Sequence, residues 1–89
     1  MIVKLNGQID SSNSTRLEKE IMAQLDGQED ASVLFDASEL EYISSAGLRV
    51  LLSAQKVMNK QGEMKITNVK PEIMEIFDVT GFVDILTIE

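Results

Sequence analysis

The sequence predicts an α/β fold: a mainly parallel, four-stranded sheet with about three helices, in the order βαβαβαβ. Three observations predict it. Period-two and helical hydrophobic patterns alternate along the chain. Short polar residues or glycine mark the switches between them. One segment, Val33-Leu34-Phe35, is a continuous apolar run of the kind found in a strand buried on both faces. Strands that alternate with helices pair in parallel through right-handed crossovers. At 89 residues the chain is one domain.

The first strand follows from Val3, Leu5, Gly7 and Ile9 alternating with Lys4, Asn6 and Gln8. It stops at Asp10-Ser11-Ser12-Asn13-Ser14, whose short side chains favour turns and helix caps. Ser11, Ser12 and Ser14 are each eligible as the cap. A first helix then runs to about Leu25, with Leu17, Ile21 and Leu25 on one stripe. Gly27, in the polar stretch from Asp26 to Asp30, is the expected stop.

Val33, Leu34 and Phe35 form the second strand, placed centrally, and residues 36–41 read as an acidic loop. A second helix starts at Ser44 or Ser45 and ends near Lys60, before Gly62. Its apolar side carries Leu48, Leu51, Leu52, Ala54, Val57 and Met58. Its polar stripe carries Arg49, Ser53, Lys56 and Lys60. Met64 and Ile66 begin a third strand. Pro71 suits the first position of a third helix, with Ile73, Ile76 and Phe77 inward and Gly81 at the left-handed stop. Residues 85–88 read as a short last strand.

Composition excludes several chemistries. Cys and His are absent, so there is no disulfide, thiol nucleophile, thiolate or imidazole metal site, or histidine base for a triad. The formal charge of −7 argues against nucleic acid as a partner. Hydrophobic residues at 44% and charged residues at 26% are those of a folded soluble domain. No stretch has the length of a signal peptide's apolar core or of a membrane span, which gives a cytoplasmic expectation without membrane insertion. No enzyme activity and no cofactor is expected.

The stretch Tyr42-Ile43-Ser44-Ser45-Ala46-Gly47-Leu48-Arg49 puts two hydroxyls at a helix start directly after a strand. Loops at the C-terminal ends of parallel strands gather functional groups. Asp10-Ser11 leaves the first strand there, and Asp36 is expected to leave the second. Asp10, Asp36 and residues 44–49 are therefore expected on one face. Several readings fit these residues. Either serine can simply cap the helix. Asp10 with Asp36 can hold Mg²⁺. A phosphate on a serine here would be tolerated by the helix amides while repelling a docked partner.

The sequence resembles the STAS domain family, and within it the bacterial anti-sigma factor antagonists. Leu5-Asn6-Gly7-Gln8-Ile9-Asp10 resembles the family's first strand and turn. Val33-Leu34-Phe35-Asp36 through Ser44-Ser45-Ala46-Gly47-Leu48 resembles its strand, acidic loop and helix start. Ile76-Phe77-Asp78-Val79-Thr80-Gly81-Phe82 resembles the end of its third helix. The resemblance implies a STAS-like sandwich spanning residues 1–89. Against the family pattern the chain begins about one strand late and stops before the last helix. An exposed sheet edge is then expected, in a monomer or weak dimer.

The activity implied by the resemblance is non-catalytic partner switching. The antagonist binds an anti-sigma factor that is also a serine kinase and so frees the sigma factor. Phosphorylation of a serine at the second-helix start ends that binding, and a serine phosphatase reverses it. The acceptor position falls on Ser45, with Ser44, which stands where the family has Asp, as the competing acceptor. Asp10, Ser11, Asp36, Ser44, Ala46, Gly47, Leu48 and Arg49 make up the expected partner surface, with Leu48 and Ala46 as its apolar part. The alternative the family offers is an accessory subunit of a membrane transport or lipid-trafficking complex.

Overall fold

The computed structural model describes residues 2–26 and 32–89. Alternation in the first strand is realised in β1 (Ile2–Ile9), where Val3, Leu5 and Ile9 are buried and Lys4, Asn6 and Gln8 exposed. Helix α1 (Ser14–Leu25) buries Ile21 and Leu25. Its cap position is Asn13, not one of the three eligible serines. The Asn13 amide instead donates to Gln8 O at 2.7 Å and its Oδ1 accepts the Asp10 N–H at 3.0 Å, which closes the turn. The expected stop at Gly27 lies outside the described residues.

The second strand, β2 (Ser32–Ile43), is four times longer than its apolar core. Residues 36–41 are not a loop: they continue the parallel pairing with β1, through Asn6↔Glu39, Gly7↔Leu40 and Gln8↔Tyr42, to Ile9↔Ile43. Two register shifts make this possible, one between Lys4 and Asn6 and one between Gly7 and Gln8. At each, β2 carries one more residue than β1, as in a β-bulge. The buried residues of β2 accordingly run Val33, Phe35, Ala37, then Leu40 and Ile43. The spacing changes from two to three, which hides the strand from an alternation test.

Helix α2 (Ser45–Gln61) follows, then β3 (Glu63–Thr67), which pairs in parallel with β2 from Ser32↔Glu63 to Asp36↔Thr67. The sheet order is β1-β2-β3, so β2 is central and β1 is an edge. Helix α3 (Pro71–Thr80) has Pro71 at its start and stops at Gly81, φ +80°, as its sequence signals require. A short 3-10 turn (Phe82–Asp84) comes next. The expected fourth strand is reduced to one parallel bridge, Ile66↔Ile88. Two bonds make it, Ile66 N–H to Thr87 O and Glu89 N–H to Ile66 O, both 2.9 Å. The sheet among the described residues therefore has three strands, not four.

One face of the sheet carries the core. Leu5, Phe35, Leu40, Ile66, Leu51, Met58, Ile73 and Phe77 belong to a single buried cluster. The opposite face is open: Lys4, Asn6 and Gln8 are exposed, and Leu34, Asp36 and Lys65 are half-buried. Leu34 is thus not enclosed as a doubly buried strand would demand. Leu17, Leu52 and Ile76, expected in the core, stay half-buried, with Leu17 and Ile76 packed at its rim.

Candidate functional site

The two serines at the start of α2 have different jobs. Ser44 is the N-cap, with extended backbone, and its hydroxyl accepts the Gly47 N–H at 3.4 Å. Its carbonyl accepts the Leu48 N–H at 2.9 Å, and its own N–H donates to Ile9 O at 2.8 Å. Ser45 is the first helical residue. It is exposed, and its hydroxyl makes no hydrogen bond among the described residues. The amides of a helix's first turn have no partner within the helix. The Ser45 hydroxyl therefore stands beside the positive end of the α2 dipole.

Gly47 is buried, and the reason is steric. A Cβ there would lie 2.6 Å from Ile43 Cγ1 and 2.7 Å from Ile9 Cγ2. Its bare backbone lets α2 start directly against the ends of β1 and β2. Leu48, at 4% exposure, is also in the core. Gly47 and Leu48 thus position the site and offer a partner no side-chain area, contrary to the expected footprint. Half-buried Ala46 and exposed Arg49 remain at the surface, and Arg49 forms no ion pair among the described residues.

Asp10 is covalently next to Ile9, whose carbonyl takes the Ser44 N–H, so the Asp10 turn adjoins the α2 start. The Ser12 hydroxyl and the Ser12 N–H both donate to Asp10 Oδ1, the latter at 2.9 Å. These bonds, the hydroxyl first, lower the Asp10 pKa below 3.8, so the carboxylate is charged at neutral pH. Ser11 is exposed in the same turn.

Asp36 is not part of this group. It sits within β2, between Lys4 and Thr67, seven residues before Ile43. At strand rise that places it roughly 20 Å from the α2 start. It accepts the Ser38 N–H at 3.0 Å and the Asn68 amide at 3.1 Å, which lower its pKa. Asn68, at φ +58°, is thereby fixed where β3 turns towards α3. The separation removes the Asp10–Asp36 pair as a Mg²⁺ site. Among the described residues no group of three or more acids could hold a metal ion.

Tyr42 borders the α2 start in sequence, on the exposed side of β2 beside Gln8. It lies two residues before Ser44 and is 47% exposed. An aromatic ring left in solvent beside a helix start is a surface feature that interfaces use heavily. Its being the chain's one Tyr, next to the serine pair, was the available signal.

A family model, that of the STAS domain, matches residues 1–89. The chain belongs to the STAS domain family. Among curated relatives of this STAS domain, a Bordetella bronchiseptica protein named as a candidate anti-sigma factor antagonist, BtrV, is 43% identical over 89 residues. The match takes in 99% of this chain and 76% of that protein. The anti-sigma F factor antagonist of Paenibacillus polymyxa is 27% identical over 89 residues, again 99% of this chain and 76% of its own. Among solved structures, an anti-sigma factor antagonist from Mycobacterium paratuberculosis superposes with a TM-score of 0.86 at 22% identity. It covers 98% of this chain and 74% of that one, and shares the fold. In this STAS domain no helix among the described residues is long and apolar enough to cross a membrane.

Proposed function

We propose that this STAS domain is an anti-sigma factor antagonist, a regulatory binding module whose partner docks over the α2 start and is released by phosphorylation of Ser45. The partner is an anti-sigma factor that acts as the serine kinase, and a serine phosphatase resets the switch. The names of the relatives support the partner class. The observation that carries the residue assignment is the division of labour between the two serines. The Ser44 hydroxyl is engaged as the helix cap, whereas the Ser45 hydroxyl is exposed and unbonded.

The chemistry needs little from this chain. The Ser45 oxygen attacks the γ-phosphorus of ATP, the bond to the β-phosphate oxygen breaks, and the hydroxyl proton passes to the kinase's base. The fold survives because the first-turn amides and the helix dipole face the new anion. The interface does not, because a group of about −1.5 to −2 charge must then be desolvated or matched by a new cation. Asp10, charged and turn-locked beside the site, would add to the negative field that a docked partner reads. Incubation with the cognate kinase and ATP, followed by mass-spectrometric mapping, tests the assignment. Label on Ser45 is expected. Label on Ser44 alone moves the switch by one residue, and no label on either serine overturns it.

A further inference from the structure

The chain leaves five large hydrophobic side chains exposed among its described residues, and three of them lie together in sequence at its C-terminal end. Met74 is 38% exposed, Val79 80% and Ile85 48%. Val79 is the most open of all five. It sits on the outward side of α3, because Ile73 and Phe77 take the inward side. A shallow cleft runs along that outward side over Glu72, Glu75, Ile76, Val79 and Thr80. These residues fall at i, i+3, i+4, i+7 and i+8, which is two turns of one helical face. The Thr80 hydroxyl is engaged within α3, donating to Ile76 O at 2.7 Å, so the face offers apolar area and carboxylates.

Charge decides what can cover it. From Pro71 onward the chain has five carboxylates, Glu72, Glu75, Asp78, Asp84 and Glu89, and no lysine or arginine. Among the described residues only Glu89 is paired, with Lys65 at 3.4 Å. Nucleic acid and anionic lipid are repelled by such a surface, and a second copy would bring the same carboxylates against it. A cationic partner is attracted, and the spacing of the cleft suits a ridge of side chains from another helix.

We propose that the outward face of α3 is a second docking surface, for a basic amphipathic helix of a partner protein. The partner's apolar ridge covers Ile76 and Val79, and its lysines or arginines meet Glu72 and Glu75. The surface works independently of the hydroxyl of Ser45, so it stands or falls apart from the proposed phosphorylation switch.

The test uses a fluorescent amphipathic peptide with leucines at i, i+3, i+4 and i+7 flanked by lysines, and a scrambled peptide of the same composition. The expected result is saturable binding of the first peptide, with amide shift changes confined to residues 72–85. Glu72→Lys with Glu75→Lys, and separately Val79→Ser, should each weaken it at least about tenfold. The first should do so with a somewhat lower melting temperature, because Glu72 lies in the first turn of α3, the second with an unchanged one. Glu39→Lys with Glu41→Lys, and Ser45→Asp, should leave it unchanged. Equal binding of the scrambled peptide, equal loss in the Glu39/Glu41 variant, or shift changes centred on residues 44–49 would each overturn the proposal. So would an absence of binding up to ~1 mM peptide, or self-association of the protein that Val79→Ser abolishes.

Discussion

The backbone N–H of Ser44 donates to the carbonyl oxygen of Ile9 at 2.8 Å. This bond joins the last residue of β1 to the cap of α2, two elements separated in sequence by α1 and β2. It makes the Asp10 turn and the α2 start one rigid end of the molecule, and it uses the amide of Ser44 rather than its hydroxyl.

Stability should therefore respond to the two serines unequally. Ser44→Ala keeps the bond to Ile9 but loses the cap, and should cost about 0.5–1 kcal/mol. The low end is expected because the 3.4 Å bond to Gly47 is long. Ser45→Ala should change nothing in a urea titration. Equal losses at both positions would contradict the division of roles.

Gly47→Ala should destabilise, although alanine is the better helix former by about 1 kcal/mol. The added Cβ meets Ile43 and Ile9, both buried and branched at Cβ, which have no free end to swing aside. Overpacking of this kind costs about 1–3 kcal/mol and should exceed the propensity gain. A melting temperature at or above that of the parent protein would show that the α2 start can move outward without penalty.

Acid should unfold the protein partly through Asp10 and Asp36. Both folded-state values lie below the ordinary 3.8, Asp10 through Ser12 and Asp36 through Ser38 and Asn68. Their contribution is present above that ordinary value and is lost as pH falls through the lowered ones. Asp10→Asn and Asp36→Asn should each flatten the fall in unfolding free energy between about pH 5 and pH 2. Curves parallel to the parent's would remove these carboxylates from the acid transition.

Tyr42→Ala should weaken binding of the proposed anti-sigma partner at least about tenfold, as truncation of an interface aromatic can, while leaving stability within about 0.5 kcal/mol. Titration calorimetry against the purified partner checks it. An unchanged dissociation constant would place the interface away from the sheet end.

Ser45→Asp should lower partner affinity by about tenfold or more, roughly 1.4 kcal/mol, with little change in melting temperature. Ser45→Ala should still bind. Arg49 lies four residues after Ser45 on the same helical face and is unpaired. In the phosphorylated protein it should lower the second phosphate pKa. Arg49→Ala should then raise that pKa in a phosphorus NMR titration, and no change would mean the phosphate points away from it.

What could be read in advance had local chemistry behind it. Pro71 and Gly81 bounded α3 because a missing N–H and a left-handed stop are properties of single residues. The serines placed the start of α2 for the same reason. The far half of β2 was hidden because Asp36, Glu39 and Glu41 break alternation, and only the pairing with β1 shows that they stay in the sheet. Asp36 was accordingly grouped with a sheet end from which it lies far away. Leu48 was expected in the core from its place on α2's apolar side, and it is there. Its second expected place, with Gly47 in the partner footprint, failed because helical spacing says which residues share a side, not which side the strands occupy. The last strand was over-read for a related reason. Residues 85–88 have strand composition, but only Ile88 bridges to β3.

The two extra residues of β2 also uncouple length from side-chain phase. Elsewhere in the sheet, losing one residue would turn every inward side chain beyond it to the outside. Between Ala37 and Ile43 the loss of one residue would merely convert a three-residue step into an ordinary two-residue one. Leu40 would still face Gly7's position, and Ile43 that of Ile9. This short stretch, Leu40 apart, is therefore where an evolving gene can lose a codon without disturbing the core, and length differences between homologous sheets should collect there.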